Sequence, residues 1–186
     1  MNTVQAAECI NRLNQIFVDT VRASGGHNAD RYLMVPGYDA APGGVLNDVF
    51  VLPRDTAENR IIVSAHAYTP YAFALQEGGK QDFDSAYPSD TQEIIGFMNA
   101  LYDRYITQGI PVVIGEFGAR DKGGNLQARV DWLSFYAAQA RSRGITCCWW
   151  DNNCFSGNGE RFGLFDRTAA RCAVPELLEA FMKNCE

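Results

Sequence analysis

Four short apolar segments are the feature of this sequence that most restricts its fold. They cover residues 32–35, 61–65, 111–115 and 145–150, and none of them alternates regularly between apolar and polar side chains. Continuous apolar strands are typical of parallel sheets that are covered by helices, because such strands are buried on both faces. We therefore predict four parallel strands at these positions.

The segments between these strands carry helical patterns. In residues 5–23, helical spacing predicts an inward-facing stripe formed by Ile10, Leu13, Phe17 and Val21. Further helices are predicted at 126–143, from Pro175 and, as a short element, near 45–50. Another helix is predicted to begin at Ser89, which forms the pattern of a capping box with Gln92, and to continue with the apolar side chains of Ile94, Met98, Leu101 and Tyr105 at helical spacing. One helix followed by four strand–helix units indicates an α/β fold.

Composition excludes several kinds of partner. The chain has 186 residues, with 22 acidic and 16 basic side chains and a net charge of −6, which argues against nucleic acid or an anionic membrane surface. No apolar run has the roughly 18 residues of a membrane-spanning helix. The N-terminal residues 1–5 lack the basic and apolar regions of a signal peptide. The length fits one domain but falls short of the ~250 residues of a typical (β/α)₈ barrel.

The sequence predicts no metal ion and no cofactor. Its six cysteines include no C-x-x-C pair, and only two histidines could supplement them as zinc ligands. The cysteines are interpreted as buried free thiols rather than zinc ligands, an interpretation that leaves room for one disulfide near the C-terminus. The glycine-rich phosphate and dinucleotide motifs and the nucleophile elbow of serine hydrolases are absent.

The connections between elements differ in length in a way that predicts where the active site lies. Strands follow helices almost at once, as at Gly144, whereas residues 68–88 and 151–173 form long connections from a strand to the next helix. Since α/β folds place their active sites at the carboxyl ends of the strands, the side chains that follow the strands are the candidates for chemistry.

Glu116 is the first of these candidates. It ends the third apolar segment between Gly115 and Gly118, and these glycines would let another backbone or a ligand approach closely. A partly buried carboxylate at this position suits a nucleophile or a general base. The alternative is a structural ion pair, for example with Arg120.

His66 and Tyr68 follow the second segment. Their spacing of two residues places both side chains on the same face of the strand, where they could hold a carboxylate or a sugar hydroxyl. The alternative is a hydrogen-bonded core histidine beside a packing tyrosine.

Trp149 and Trp150 end the fourth segment, and their side chains must point to opposite faces of the sheet. The inward-facing ring, next to Asp151 and Asn152, would form a stacking surface for a sugar with hydrogen-bonding groups beside it. The alternative is an ordinary core aromatic residue.

These strand ends resemble those of one enzyme family. Residues 31–38, 66–71, 114–118 and 149–152 resemble, in order, the ends of strands five to eight in endoglucanases of glycoside hydrolase family 5 from rumen and clostridial bacteria. Residues 13–22 are similar to the fourth helix of that barrel. The resemblance covers nearly the whole chain.

The resemblance implies that residues 1–186 are a single truncated catalytic domain, half of a (β/α)₈ TIM barrel. It implies endo-acting hydrolysis of β-1,4-glucosidic bonds in cellulose or related β-glucans, by a retaining mechanism with Glu116 as the nucleophile. His66 and Tyr68 would orient Glu116, and the substrate would contact Trp150, Tyr71, Asp151 and Asn152. No cofactor is implied, and enzymes of this family are secreted by bacteria.

One family motif is missing. The general acid/base of the family is a glutamate in an Asn-Glu-Pro motif, which this sequence lacks. Retaining hydrolysis needs two carboxyl groups about 5–5.5 Å apart. A half-barrel also leaves two strand edges and an apolar face exposed, so we expect a homodimer in which the partner's Asp151 could replace the missing acid.

Two alternatives stay open on the sequence alone. The chain could be a weakly active or inactive half-barrel that only binds β-glucan through residues such as Trp150, Tyr68 and Tyr71. It could also be an unrelated small α/β enzyme of the doubly wound type.

Overall fold

Four parallel strands form the central sheet of the structure, a computed structural model that describes residues 3–185. The strands are β1 (Leu33–Pro36), β2 (Ile61–His66), β3 (Val112–Phe117) and β4 (Thr146–Trp149), and they are paired in sequence order. The helices are α1 (Thr3–Ala23), α2 (Pro42–Leu46), α3 (Tyr71–Ala74), α4 (Pro88–Arg104), α5 (Leu126–Ser142) and α6 (Pro175–Cys185). A small antiparallel pair, β5 (Phe165–Asp166) and β6 (Arg171–Cys172), lies in the loop after β4. The predicted parallel α/β sheet is confirmed.

One face of the sheet is covered by helices. Phe117 of β3 stacks on Tyr136 of α5 with their ring centroids 4.8 Å apart, and Trp132 of the same helix packs against both rings. The predicted apolar side chains of α4 are buried in the same layer, and so is Tyr105 directly after the helix: Ile94, Met98, Leu101 and Tyr105. This helix layer contains the main hydrophobic core.

The other face of the sheet is open. Met34 of β1 is 48% exposed and Trp150, directly after β4, is 39% exposed, whereas Val35 and Ala65 on the helix side are fully buried. The prediction of strands buried on both faces is therefore wrong for β1 and β4, because no other part of residues 3–185 packs over this face. We call this surface the open face.

Three local predictions about helices are wrong. In α1, Leu13 and Phe17 are exposed, and the helix packs against β1 through Val18 instead. The fourth helix begins at Pro88, so Ser89 lies inside it and its hydroxyl donates to the Asp90 carboxylate rather than capping the helix. The short helix near 45–50 lies at Pro42–Leu46, where Pro42 provides a first helical residue with a fixed φ.

The six cysteines are free thiols in the structure, as predicted, but the predicted burial is wrong. Cys148 and Cys185 are exposed, and the other four are only partly buried. Cys147 and Cys148 lie on opposite sides of β4, as their adjacent positions predict. Burial raises the pKa of the Cys147 thiol.

Within residues 3–185, none of the helices combines the length and apolar character needed to cross a membrane.

Helix α5 fixes the backbone that follows β2. The Trp132 indole N–H donates to the Thr69 carbonyl at 2.9 Å, and the Tyr136 hydroxyl donates to the Ala67 carbonyl at 2.9 Å. Both donors are buried and the two carbonyls flank Tyr68. Core packing in the helix layer therefore determines the position of a candidate site residue.

The Tyr136 hydroxyl should contribute measurably to stability. Tyr136→Phe removes the donor to a buried carbonyl, so we expect the free energy of unfolding to fall by about 1–2 kcal/mol. Chemical denaturation followed by circular dichroism measures the change. Tyr102→Phe, at a partly exposed tyrosine of α4, is the matched control and should change stability by less than about 0.5 kcal/mol. Equal effects of the two substitutions would contradict this assignment.

Candidate active site

Glu116 lies at the carboxyl end of β3, where two neighbouring side chains from the β2 end converge on one of its oxygens. The Tyr68 hydroxyl donates to Glu116 Oε2 at 3.0 Å, and His66 Nδ1 lies 3.4 Å from the same oxygen. The side chains of Glu116 and His66 are 27% and 37% exposed. The site is therefore partly desolvated but open to a ligand.

The strand register brings these residues together. His66 of β2 is paired with Glu116 of β3, after an irregularity in the register that follows Ala65. In an undisturbed parallel ladder the partner of His66 would be Gly115, because Ala65 is paired with Ile114. The irregularity therefore shifts the carboxylate level with the imidazole.

The two glycines near Glu116 leave space that neighbouring side chains occupy. A Cβ atom on Gly115 would lie 3.6 Å from His66 Nε2 and 3.3 Å from the Ser64 hydroxyl. A Cβ atom on Gly118 would lie 3.0 Å from Phe162 Cδ1, which is closer than side chains normally pack. Gly118 thus permits the close packing of Phe162, and Gly115 permits the close approach of the Ser64 hydroxyl, whereas the distance to His66 is an ordinary contact.

Tyr68 is held as a protonated hydrogen-bond donor. Burial is the main cause that raises the pKa of its phenol above the ordinary value, and its hydrogen bond to Glu116 adds to the effect. The negative charges of Glu116 and Glu160 contribute further in the same direction. A phenol in this environment donates to Glu116 throughout the neutral pH range.

The two tryptophans separate as predicted. Trp149 faces the helix layer, where its ring meets Phe117 edge-on at a centroid distance of 5.7 Å. Trp150 faces the other way and contributes to the open face. The backbone amide of Trp150 donates to the Phe117 carbonyl at 2.9 Å, so its position is tied to the residue that follows Glu116.

Asp151 and Asn152 hold the loop that follows β4. The Asp151 carboxylate accepts the amide of Leu164 at 2.9 Å, and the Asn152 side-chain oxygen accepts the amide of Phe162 at 3.3 Å. Arg167 Nη2 also lies 3.6 Å from the Asp151 carboxylate. These oxygens are engaged within the chain, and a role for the two residues in sugar binding stays a prediction.

Tyr71 begins α3 three residues after Tyr68 and is 58% exposed. It offers an accessible ring close in sequence to the site, and its contact with a substrate stays a prediction.

Arg120 lies 3.5 Å from the Glu77 carboxylate and donates to the carbonyls of Asn158 and Gly159. The alternative of a structural ion pair between Glu116 and Arg120 is therefore wrong for the described structure.

Phe162 is a residue of the site that the sequence does not predict. This residue is fully buried, and its ring centroid lies 5.5 Å from that of Tyr68. It lies in a long loop without periodicity, so its only signal was an aromatic residue in the segment that follows a strand.

Within the part of the chain that the structure describes, no group of three or more His, Cys, Asp or Glu side chains could hold a metal ion.

Comparison with a protein-family model and with known proteins identifies relatives of this chain. The family model described as cellulase (glycosyl hydrolase family 5) matches residues 1–156. Endoglucanase 1 from Ruminococcus albus is 42% identical over 186 residues, which cover 99% of this chain and 44% of that protein.

Solved structures of glycoside hydrolase family 5 proteins are also similar to this chain. A family 5 lichenase from Caldicellulosiruptor sp. F32, in a complex with cellotetraose, is 54% identical with a TM-score of 0.96 over 98% of this chain and 50% of that one. A broad-specificity endoglucanase from Ruminococcus champanellensis with bound cellotriose is 44% identical with a TM-score of 0.90, covering 97% and 51%. The chain thus spans about half the length of these relatives. It belongs to glycosyl hydrolase family 5.

Proposed function

We propose that this chain provides the nucleophile side of an endo-acting β-1,4-glucanase that cleaves cellulose or a related β-glucan with retention of configuration. The observation that carries the proposal is the carboxylate of Glu116, which two side chains orient at the end of a central strand. The relatives named as endoglucanases, and a lichenase bound to cellotetraose, support a β-glucan as the substrate. Because such polymers do not enter cells, we expect the protein to act outside the cell.

Glu116 would attack the anomeric carbon while the bond from that carbon to the glycosidic oxygen breaks, and the leaving oxygen would take a proton from the second carboxyl group. Water would then release the sugar from Glu116. Tyr68 and His66 both contact Oε2, which leaves Oε1 as the oxygen for attack. The hydrogen bond from Tyr68 holds the carboxylate plane in one orientation, so little reorientation is needed when the covalent glycosyl-enzyme forms. Because the pKa of Tyr68 is raised by burial, the phenol remains the donor during this step.

Trp150 would support the sugar ring under attack. Its indole lies on the open face directly after β4, the neighbour in the sheet of β3, which carries Glu116 near its carboxyl end. An exposed indole provides a flat apolar surface for the C–H groups of a sugar. Tyr71 would provide a second aromatic contact farther along the glucan.

Retaining hydrolysis needs a second carboxyl group, which another part of the assembly would have to bring to the Glu116 site. We propose that residues 1–186 form a half-barrel, equivalent to strands five to eight of the family barrel. Two copies would close a complete barrel, in which β4 of each copy pairs with β1 of its partner. The free edges of β1 and β4 and the exposed Met34 of the open face support this arrangement, because pairing would bury all of them.

The partner's Asp151 is poorly suited to serve as the missing acid. Its carboxylate would have to release the amides of Leu164 and Asn153 before it could reach a substrate bound to the other copy. We therefore leave this residue out of the proposed machinery.

A second candidate function is binding of β-glucan without cleavage. The exposed rings of Trp150 and Tyr71 would contact a sugar whether or not a second carboxyl group is present. The relatives, which are named endoglucanases, favour hydrolysis over binding alone. Retention on insoluble cellulose without release of reducing ends would distinguish this function from hydrolysis.

Glu116→Gln should abolish hydrolysis. The amide keeps the size of the side chain but is not a nucleophile, so we expect the release of reducing ends from carboxymethylcellulose to fall by about a thousandfold or more. Glu93→Gln, at an exposed position of α4, is the matched control and should retain full activity. Equal activity of Glu116→Gln and the wild type would refute the assignment of the nucleophile.

Tyr68→Phe should lower kcat with little change in KM. The substitution removes the donor to Glu116 but keeps the ring, so we expect kcat to fall by about tenfold to a hundredfold. Steady-state kinetics on a soluble β-glucan measures both constants. Tyr87→Phe, at an exposed tyrosine before α4, serves as the control. A change confined to KM would contradict an orienting role for the Tyr68 hydroxyl.

The half-barrel predicts a dimer in solution. The wild type should have about twice the chain mass of 20.6 kDa in sedimentation equilibrium. Met34→Asp places a charge on the open face and should give the monomer mass, because an unpaired charge in the interface is costly. Val51→Asp, at an exposed apolar residue outside the sheet, should leave the dimer intact. A wild type that remains monomeric at all concentrations would exclude the paired barrel.

A further inference from the structure

We propose that Phe162 is a positioning residue of the site. The loop after β4 holds its ring against Tyr68, and this contact keeps the Tyr68 hydroxyl on Glu116. The effect on catalysis rests on the proposed function above. The positioning itself concerns only side chains that the structure describes, so it can be tested without any substrate.

The backbone of Phe162 is fixed at both of its polar groups. Its amide donates to the Asn152 side-chain oxygen at 3.3 Å, and its carbonyl accepts the Trp149 indole N–H at 3.1 Å. Trp149 belongs to β4 and packs edge-on against Phe117, the residue after Glu116. Phe162 is thus anchored to β4 and to the loop that follows it, and Trp149 links it to Phe117 of β3.

The residues on either side of Phe162 are held as well. The Asn152 side-chain amide donates to the Glu160 carbonyl at 2.7 Å, and the amide of Leu164 donates to Asp151 at 2.9 Å. The backbone of Arg161 accepts the amide of Asp121 at 2.9 Å, which joins the loop after β4 to the loop after β3. A displacement of the Phe162 backbone would require several of these hydrogen bonds to break.

The ring of Phe162 fills the space between Tyr68 and the backbone after Glu116. Its plane is tilted by 51° from that of Tyr68, and it packs against Gly118, where no Cβ is present to displace it. Tyr68 meets Phe162 with its ring and Glu116 with its hydroxyl. A shorter side chain at 162 would leave a cavity into which the Tyr68 ring could turn. Such a turn breaks the hydrogen bond to Glu116, since O–H···O bonds weaken steeply with distance and angle.

Phe162→Leu removes the ring and so tests this role. A substitution that removes another buried ring serves as its matched control. The control is Phe83→Leu, because Phe83 is also a buried loop residue, but its ring packs against Phe73 and Phe135 rather than Tyr68. The readout is the NMR resonance of the Tyr68 Cζ atom in isotopically labelled protein, assigned by its absence in Tyr68→Phe. This resonance reports the hydrogen bonding of the phenol.

We expect Phe162→Leu to move the Tyr68 resonance towards those of the exposed tyrosines, and Phe83→Leu to leave it unchanged. An unchanged Tyr68 resonance in folded Phe162→Leu would overturn the proposal. If Phe162→Leu does not fold, Asn152→Ala decides the question, because it removes the acceptor for the Phe162 amide and keeps the ring. A shift of the Tyr68 resonance in that variant supports the proposal, and its absence overturns it.

Kinetics provide the second readout. We expect Phe162→Leu to lower kcat by about tenfold with little change in KM, and the double variant with Tyr68→Phe to be no slower than Tyr68→Phe alone. Fully additive losses would show that Phe162 acts on something other than Tyr68 and would overturn the proposal. A wild type without hydrolytic activity would instead refute the proposed function, and the Tyr68 resonance would still test the positioning.

Discussion

The register between β2 and β3 is the constraint on which the site depends. Ala65 pairs with Ile114, yet the next residue, His66, pairs with Glu116, so one residue of β3 is passed over at the strand end. This irregularity places the carboxylate level with the imidazole and within reach of the Tyr68 hydroxyl. Helix α5 stabilises the arrangement through hydrogen bonds to the carbonyls of Ala67 and Thr69, on either side of Tyr68. The chemistry of the site therefore depends on backbone geometry that is fixed in the core.

The sheet is stabilised from one side only. Its helix face carries the stacked rings of Phe117, Trp132 and Tyr136, whereas Met34 and Trp150 on the open face are exposed. Buried apolar area stabilises a fold in proportion to its extent, so a sheet with one bare face forgoes a large part of that contribution. The same face carries Glu116 and Trp150. A partner that covered it would both stabilise the sheet and form the remainder of the substrate cleft.

Sequence reasoning predicted the elements that repeat a simple pattern. Strand positions, the inward side of α4, and the convergence of His66 and Tyr68 all follow from periodicity, and the structure agrees. The prediction for α1 was wrong because an apolar stripe shows which side of a helix avoids water but not whether a neighbour covers it. Leu13 and Phe17 are exposed because nothing in the described chain packs on that side. The role of Phe162 depends on contacts across long sequence separations, which leave no periodic signal.

The polar residues that follow the strands divide into two groups with different tasks. Glu116 is contacted on one oxygen by Tyr68 and His66, and this leaves it able to meet a ligand. Asp151 and Asn152 instead use their oxygens on backbone amides of their own loop. A carboxylate or amide at a strand end is therefore insufficient to identify a catalytic group. What distinguishes the two groups is the kind of donor: a hydroxyl and an imidazole orient an accessible carboxylate, whereas several backbone amides bind a carboxylate into the loop architecture.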